Sequence, residues 1–184
     1  MSAETGPDRG DGPVWEAILH RRAIRRFTDR ALDDADLHRI LAAGRRSGSS
    51  KNQQRWDFIV CRDRAHLREL SELGPWAGHL AGAAVAIALV TPDPRTADAP
   101  LSVMFDLGMA AANMQLAAWE LGIGSCPATV YDHALAARLL GLPDDRHCEF
   151  LLSFGYPADP AQLTAPLRTG GRRPLDDIVH EERW

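Results

Sequence analysis

Lysine is all but missing from this chain: of its 21 basic side chains, Lys51 is the only lysine and the rest are arginine. Acidic residues number 25, which leaves a net charge of −4 and a pI near 5.9. That balance excludes an overall basic field of the kind that draws nucleic acid or anionic lipid. Arginine in general accompanies abundant alanine here and reads as the background of a GC-rich genome. Only the location of particular arginines carries meaning. Cysteine is scarce too. Cys61, Cys126 and Cys148 are far apart, odd in number and never in a CxxC pair, so neither a zinc site nor a disulfide framework is indicated. Long apolar runs are absent. The longest stretches free of Asp, Glu, Lys, Arg and His, Leu80–Pro92 and Leu107–Trp119, span thirteen residues each, whereas a membrane helix needs roughly 20. The first twelve residues, MSAETGPDRGDG, are polar and glycine-rich; they are expected to form a disordered tail and do not resemble a signal peptide. A soluble, cytoplasmic protein is expected, with no membrane and no nucleic-acid partner.

What remains is an ordinary globular composition over 184 residues, enough for one substantial core, placed at 13–184. Pro13 at a first helical position, then Trp15, Ile18 and Leu19, predicts a short helix running into Arg21-Arg22-Ala23-Ile24-Arg25-Arg26. Asp33 is the expected N-cap of a second helix, which is predicted to stop around Gly44. The stretch 45–55 reads as a polar loop, followed by a strand over 56–61. Further helices are expected around Leu67–Leu73, over 101–121, and from an Asp132 cap to Gly141. Strands are expected over 83–90 and 148–154, and a turn at Pro127-Ala128-Thr129. The elements mix without a βαβ repeat, so the expected class is α+β. The 101–121 helix is apolar nearly all round, interrupted by Asp106, Asn113 and Gln115. Such a helix needs cover on more than one side: a partner subunit, or a central place in a monomer core.

Several familiar signatures fail. Gly122-Ile123-Gly124 follows a helix where a dinucleotide fingerprint requires a strand, and Pro127 occupies the third glycine position. Gly122 is better read as a helix C-cap. There is no Walker loop, HExxH or GxSxG, and the seven histidines form no ligand spacing. An enzyme without protein nucleophiles or metal ligands can still act through a bound cofactor.

Three separated segments resemble one family. His20-Arg21-Arg22-Ala23-Ile24-Arg25-Arg26-Phe27 is similar to the RRSxRxF signature of nitroreductase-like flavoproteins. Ser49-Ser50-Lys51-Asn52-Gln53-Gln54-Arg55-Trp56 is similar to their PSSxNxQPW loop, and Arg172-Arg173-Pro174-Leu175-Asp176-Asp177-Ile178, after Gly170-Gly171, to their RxPLEEL pattern. The helix ending in Leu121-Gly122-Ile123-Gly124 and the Phe154-Gly155-Tyr156-Pro157 strand end fall between them in the family's order. The resemblance runs from about Pro13 to Trp184.

The resemblance implies an FMN-dependent oxidoreductase with a central, mostly antiparallel sheet flanked by helices. It implies an intertwined homodimer with FMN at the subunit interface and a C-terminal arm wrapping the partner. Arg21, Arg25 and Arg172 then match the phosphate and ribityl ligands, with Arg22 and Arg173 close behind; planar guanidinium groups suit a phosphate bidentately. Arg21 and Arg22 would also lie near the pyrimidine side of the ring. Ala23 stands where the family has serine. Ser49, Ser50, Asn52 and Gln54 offer hydroxyl and amide groups to the ring, its carbonyls and the ribityl chain. Pro127, Ala128 and Thr129 would run past the ring and present backbone donors to it. Lys51 is assigned to an anionic substrate or the nicotinamide nucleotide's phosphate, against the plain reading of a solvent-facing loop lysine. No side chain is assigned as catalytic acid or base, and no metal is implied. The expected activity is hydride transfer from NADH or NADPH through the flavin to a small electron-poor acceptor, a nitroaromatic or quinone, in ping-pong order. Two other readings keep the same fold: a specialised flavin dehydrogenase or dehalogenase, in some relatives with a deazaflavin donor, and a protein that only sequesters flavin. Arg55 in place of the family's proline, and the lack of an insertion that often forms a lid, leave the acceptor open.

Overall fold

The computed structural model describes residues 12–96, 101–166 and 172–184. The expected disordered tail and Gly170-Gly171 lie outside the described residues, apart from Gly12, the N-cap of the first helix. In chain order the elements are α1 (Pro13–His20), α2 (Asp34–Arg45), β1 (Asp57–Cys61), α3 (Arg64–Leu70), β2 (Val85–Pro92), α4 (Ser102–Glu120), β3 (Gly124–Thr129), α5 (His133–Leu140) and β4 (Arg146–Gly155). The strands form one antiparallel sheet in the order β1-β2-β4-β3. This is the α+β arrangement that the sequence predicts. None of the described helices is long and apolar enough to cross a membrane.

The central strand β2 shows why the sheet has two covered faces. Successive side chains point to opposite sides. Val85, Ile87 and Leu89 enter a core shared with Leu37 and Ile40 of α2 and Leu107 and Met114 of α4. Ala86, Ala88 and Val90 enter a second core with Leu67 and Leu70 of α3 and Ala136 of α5. The bulkier residues face α4, the longest helix, and the small ones admit α3 and α5 closely. Both layers are dry: Ile40, Leu67, Leu70, Ile87 and Leu151 are each within 2% of full burial. Each such aliphatic side chain contributes about 1.5–3 kcal/mol.

One expectation is corrected and another gains a different cause. α2 ends at Arg45, where the sequence places its stop, but Gly44 is there for packing. A Cβ at Gly44 would meet the Met114 side chain of α4, so the close approach of the two helices, and no capping need, favours glycine. The segment Pro127-Ala128-Thr129 is not a turn; it is the end of β3, paired with Leu152, Leu151 and Phe150 of β4. β3 is an edge strand among the described residues, and an edge tolerates a proline that cannot donate. The other caps behave as expected. Gly122 takes φ +73° at the end of α4 and Gly141 φ +63° at the end of α5, and the Asp132 carboxylate accepts from the Leu135 N–H at 2.8 Å.

Gly124 and Gly155 begin β3 and end β4 as register partners. A Cβ on Gly124 would meet Ile24 at 2.8 Å, and one on Gly155 would meet Phe27 at 2.9 Å. Gly124→Ala and Gly155→Ala are each expected to lower stability by about 1–3 kcal/mol through overpacking. Gly82→Ala, with nothing within 4 Å, should stay within about 0.5 kcal/mol. Denaturant midpoints of the three variants measure the difference.

Candidate functional site

The basic segment after α1 is held by backbone, which leaves its side chains at liberty. Ala23 bridges Ser125 in parallel, and the Ile24 N–H donates to the Ser125 carbonyl at 2.9 Å. Farther on, the Ala158 N–H donates to Arg26 and the Thr28 N–H to Tyr156, at 2.9 and 2.8 Å. Ile24 is 2% exposed and acts as the peg. Arg21 stays half-buried while Ala23, Arg25 and Arg26 are exposed. Among the described residues, the Arg21 and Arg25 guanidinium groups have no carboxylate or hydrogen-bond partner. Arg22 is different. Its guanidinium donates to the carbonyls of His20, Ala165 and Pro166, so it fastens the root of the C-terminal arm to this segment.

The same strand edge gathers Arg25, His79, Cys126 and Pro127. The Ser125 carbonyl faces outward to Ile24, so by antiparallel alternation Pro127 and Thr129 present their backbone groups on the same edge. Pro127 has no N–H, which leaves Thr129 as the outward donor; Ala128 is buried at 1% in the core. His79 was one of seven undistinguished histidines in the sequence, and nothing in its neighbours pointed to it. Its Nδ1 lies 2.9 Å from the Ser153 hydroxyl. That hydroxyl donates to the Cys126 carbonyl at 3.2 Å, so it must accept from His79 Nδ1–H. The Nε2 lone pair is left buried without a partner among the described residues. Burial first, and the Arg25 charge second, hold the imidazole below its usual pKa.

The polar loop stands elsewhere. Ser50–Asn52 make one 3₁₀ turn, and Lys51, Asn52 and Gln54 have φ of 53°, 55° and 50°. Left-handed backbone at non-glycine residues costs of order 1 kcal/mol each and needs support from its surroundings. The support is visible. The carboxylate of Asp106, buried on α4, accepts from the Ser50 N–H at 2.9 Å. The Ser49 hydroxyl accepts from the Gln54 N–H at 3.0 Å, and the Gln54 amide donates to Asn52 Oδ1 at 3.0 Å. Ser50, Lys51, Asn52 and Gln54 are exposed. Asp106, an interruption in the sequence pattern, is therefore the anchor of this loop.

One chain does not bring the loop and the basic segment together. His20 stacks on Trp119 with ring centroids 6.3 Å apart, near the end of α4. The loop hangs from Asp106, thirteen residues earlier on the same helix, about 20 Å at helical rise. Beside the loop's end of α4 the surface is apolar and open: Leu101, its N-cap, and Phe105 are 84% and 70% exposed, and Val14, Trp15 and Ile18 of α1 are exposed as well. A groove of about 370 Å³ between α1 and α4 is lined by Val14, Ala17, Asn113 and Leu116. The arm lies open as well: every residue from Arg172 to Trp184 is exposed. Arg173 donates to the Asp177 carbonyl within the arm.

The model of the nitroreductase family matches residues 18–74 and 71–156. A protein of Archaeoglobus fulgidus, provisionally named NADH dehydrogenase/NAD(P)H nitroreductase, is 36% identical over 172 residues, 91% of this chain and 96% of that protein. The oxygen-insensitive NADPH nitroreductase of Salmonella typhimurium is 30% identical over 94% of this chain and 75% of its own. Among solved structures, an FMN-dependent nitroreductase of Clostridium difficile superposes with a TM-score of 0.79 at 25% identity, covering 92% of this chain and 99% of that one. The NADPH:FMN oxidoreductase of Vibrio harveyi, solved with NAD⁺, superposes with a TM-score of 0.82 at 25% identity, covering 94% and 78%.

All three cysteines are free and buried. Burial pushes the Cys61 thiol up to about 11 and Cys148 up to about 12, and raises Cys126 against the opposing Arg25 charge. A thiol must ionise to attack. Ellman's reagent at pH 8 is therefore expected to label none of the three in the folded protein and all three after denaturation.

Proposed function

We propose, for a chain that belongs to the nitroreductase family, that it is an NAD(P)H-dependent FMN oxidoreductase acting as a homodimer, with one domain over 13–184. The observation that carries this reading is the pair of guanidinium groups, Arg21 and Arg25, without partners among the described residues and held at the edge of β3 by a backbone that needs neither of them. Two such cations beside a strand edge with one outward N–H fit a long anionic cofactor with a polar ring. FMN, when bound, supplies two-electron transfer from NADH or NADPH to an electron-poor acceptor such as a nitroaromatic or quinone.

The rest of the task falls to the chain. Arg21, with Arg172 from the arm, binds the phosphate through charge-assisted bonds. Arg25, beside Pro127 and His79, would hold positive charge next to a bound flavin ring and so would favour its reduced, anionic form. Arg22 holds the arm's root and orients its neighbours. The Thr129 N–H meets the ring edge. Ser49, Ser50, Asn52 and Gln54 come from the partner subunit. A two-fold axis that lays α4 antiparallel on its copy sets the Asp106 end of one helix beside the Trp119 end of the other. That single operation covers Phe105 and completes two sites. Free buried thiols accord with a reducing, cytoplasmic setting.

Purified protein is expected to show an oxidised-flavin spectrum that bleaches on anaerobic addition of NADH or NADPH. Spectra that stay unbleached with both donors refute the reductase reading. Arg21→Ala and Arg172→Ala should each weaken FMN by about 10- to 100-fold, the loss of one charge-assisted bond of about 1.5–3 kcal/mol, with the circular dichroism unchanged. Light scattering should give twice the 20.2 kDa chain mass. Phe105→Glu should give single chains that no longer retain FMN.

A further inference from the structure

Away from the edge of β3, three ligand-bearing side chains converge where α5 meets β4. His133 is the first residue of α5; His147 and Glu149 lie near the start of β4. The His147 Nε2 is 2.8 Å from Glu149 Oε2, and the His133 Nε2 is 3.7 Å from the same oxygen. The two imidazole rings stand 4.7 Å apart, tilted by 40°. One donor atom from each of the three residues lies within 4.8 Å of the other two.

A local irregularity lies at this convergence. β2 and β4 pair Leu89 with Phe150 and then Val90 with Cys148, so Glu149 is an extra residue in the register. Such bulges turn a side chain out of its regular direction and recur beside functional sites. Here the Glu149 carboxylate meets His147, two residues earlier on the strand, while its carbonyl still accepts from the Val130 N–H at 2.9 Å. A cavity of about 280 Å³ opens beside His133 and His147, lined also by Asp93, Arg95, Asp144 and Arg146.

Hydrogen bonding accounts for only part of the arrangement. His147 and Glu149 make a bond, but His133 makes none. Its Nδ1 is buried without a partner among the described residues, and 3.7 Å to Glu149 is too long for a hydrogen bond. The His133 Nε2, turned toward the Glu149 carboxylate at 3.7 Å without a hydrogen bond to it and beside a second imidazole, makes a donor set that lacks its centre.

We propose that His133, His147 and Glu149 form a binding site for a divalent transition-metal ion of the zinc class, with a water from the adjoining cavity as fourth ligand. Two imidazole nitrogens and one carboxylate oxygen suit that ion. Bonds of about 2.0–2.1 Å set tetrahedral donors about 3.4 Å apart, and the observed 2.8 and 3.7 Å straddle that figure. The ion clasps the start of α5 to the bulge of β4. It is remote from Arg21 and Arg25, since His147 and Gly155 lie about 25 Å apart along β4, and it takes no part in the redox chemistry. Of the two arginines that line the cavity, Arg146 is paired with Asp145 at 3.2 Å and the other opposes the ion. Arg95, held by Asp93 at 3.0 Å, brings a guanidinium nitrogen to 3.4 Å from His147 Nδ1. Metal binding at Nε2 places the ring proton on Nδ1, so Arg95 must turn away, and Asp93 is the acceptor at hand for that N–H.

The test is titration of the EDTA-treated full-length chain with Zn²⁺ by calorimetry and with Co²⁺ by visible absorption. The wild type should take up one equivalent, give the ligand-field bands of four-coordinate Co²⁺, and melt at a higher temperature with Zn²⁺ present. His133→Ala and Glu149→Gln, chosen because both side chains are partly exposed where His147 is buried, should each lose about tenfold or more in affinity and lose the melting shift. Arg95→Met should bind more tightly than wild type. Less than one equivalent in the wild type, or binding by both His133→Ala and Glu149→Gln as tight as wild type, would overturn the assignment.

Discussion

Much of this molecule turns on a short stretch of backbone docking, Ala23 to Thr28, against the first residues of β3 and the last of β4. Ile24 fills the space above Gly124 and Phe27 the space above Gly155, while main-chain bonds to Ser125, Tyr156 and Ala158 fix the path. The geometry is made without any of the charged side chains in the segment. Arginines therefore sit in a defined place at no cost in ordering, because their positions are set by an aliphatic peg and an aromatic one. Arg22 extends the same device to the chain's far end by gripping the carbonyls of Ala165 and Pro166.

α4 supplies the second constraint. It carries the polar loop on Asp106 near one end and, through Trp119, meets both His20 and the Leu163 carbonyl near the other. Its buried polar residues are all accounted for locally. Asp106 serves the loop, and Gln115 donates to the Ser125 hydroxyl at 3.3 Å. What is left over on this helix is apolar and open, and the arm from Arg172 onward is equally bare. A rod that bears different halves of a site at its two ends has an economical use in a two-fold dimer, where each end meets the opposite end of its copy.

The parts legible in the sequence were those governed by neighbours in the chain. Gly122, Gly141 and Asp132 announce helix ends because their conformations or side chains act within a few residues. The strands around Val85 and Leu151 announce themselves by β-branched and aliphatic composition. The contiguous clusters at 21–25 and 49–54 could be seen as sets of donors and charges. Tertiary causes were hidden. Gly44 looked like a stop signal because its reason, Met114, is seventy residues away. Pro127 looked like a turn because its edge position depends on a pairing with Leu152. His79, and the triad of His133, His147 and Glu149, have no signature, since the fold brings them to their partners. Arg22 was indistinguishable from Arg21 until its carbonyl partners were seen.

The left-handed turn at residues 51–54 has a practical side. It holds Lys51 out in water at φ +53°, and that residue carries the one side-chain amine of the whole chain. Apart from the α-amino group, amine-directed chemistry thus addresses the protein at a single point. A fluorophore, a cross-linker or a surface tether attached there reports from, or immobilises the molecule by, a backbone that Asp106 already keeps rigid. Few proteins of this size offer one natural handle, and here the handle stands on a loop whose shape is known in advance.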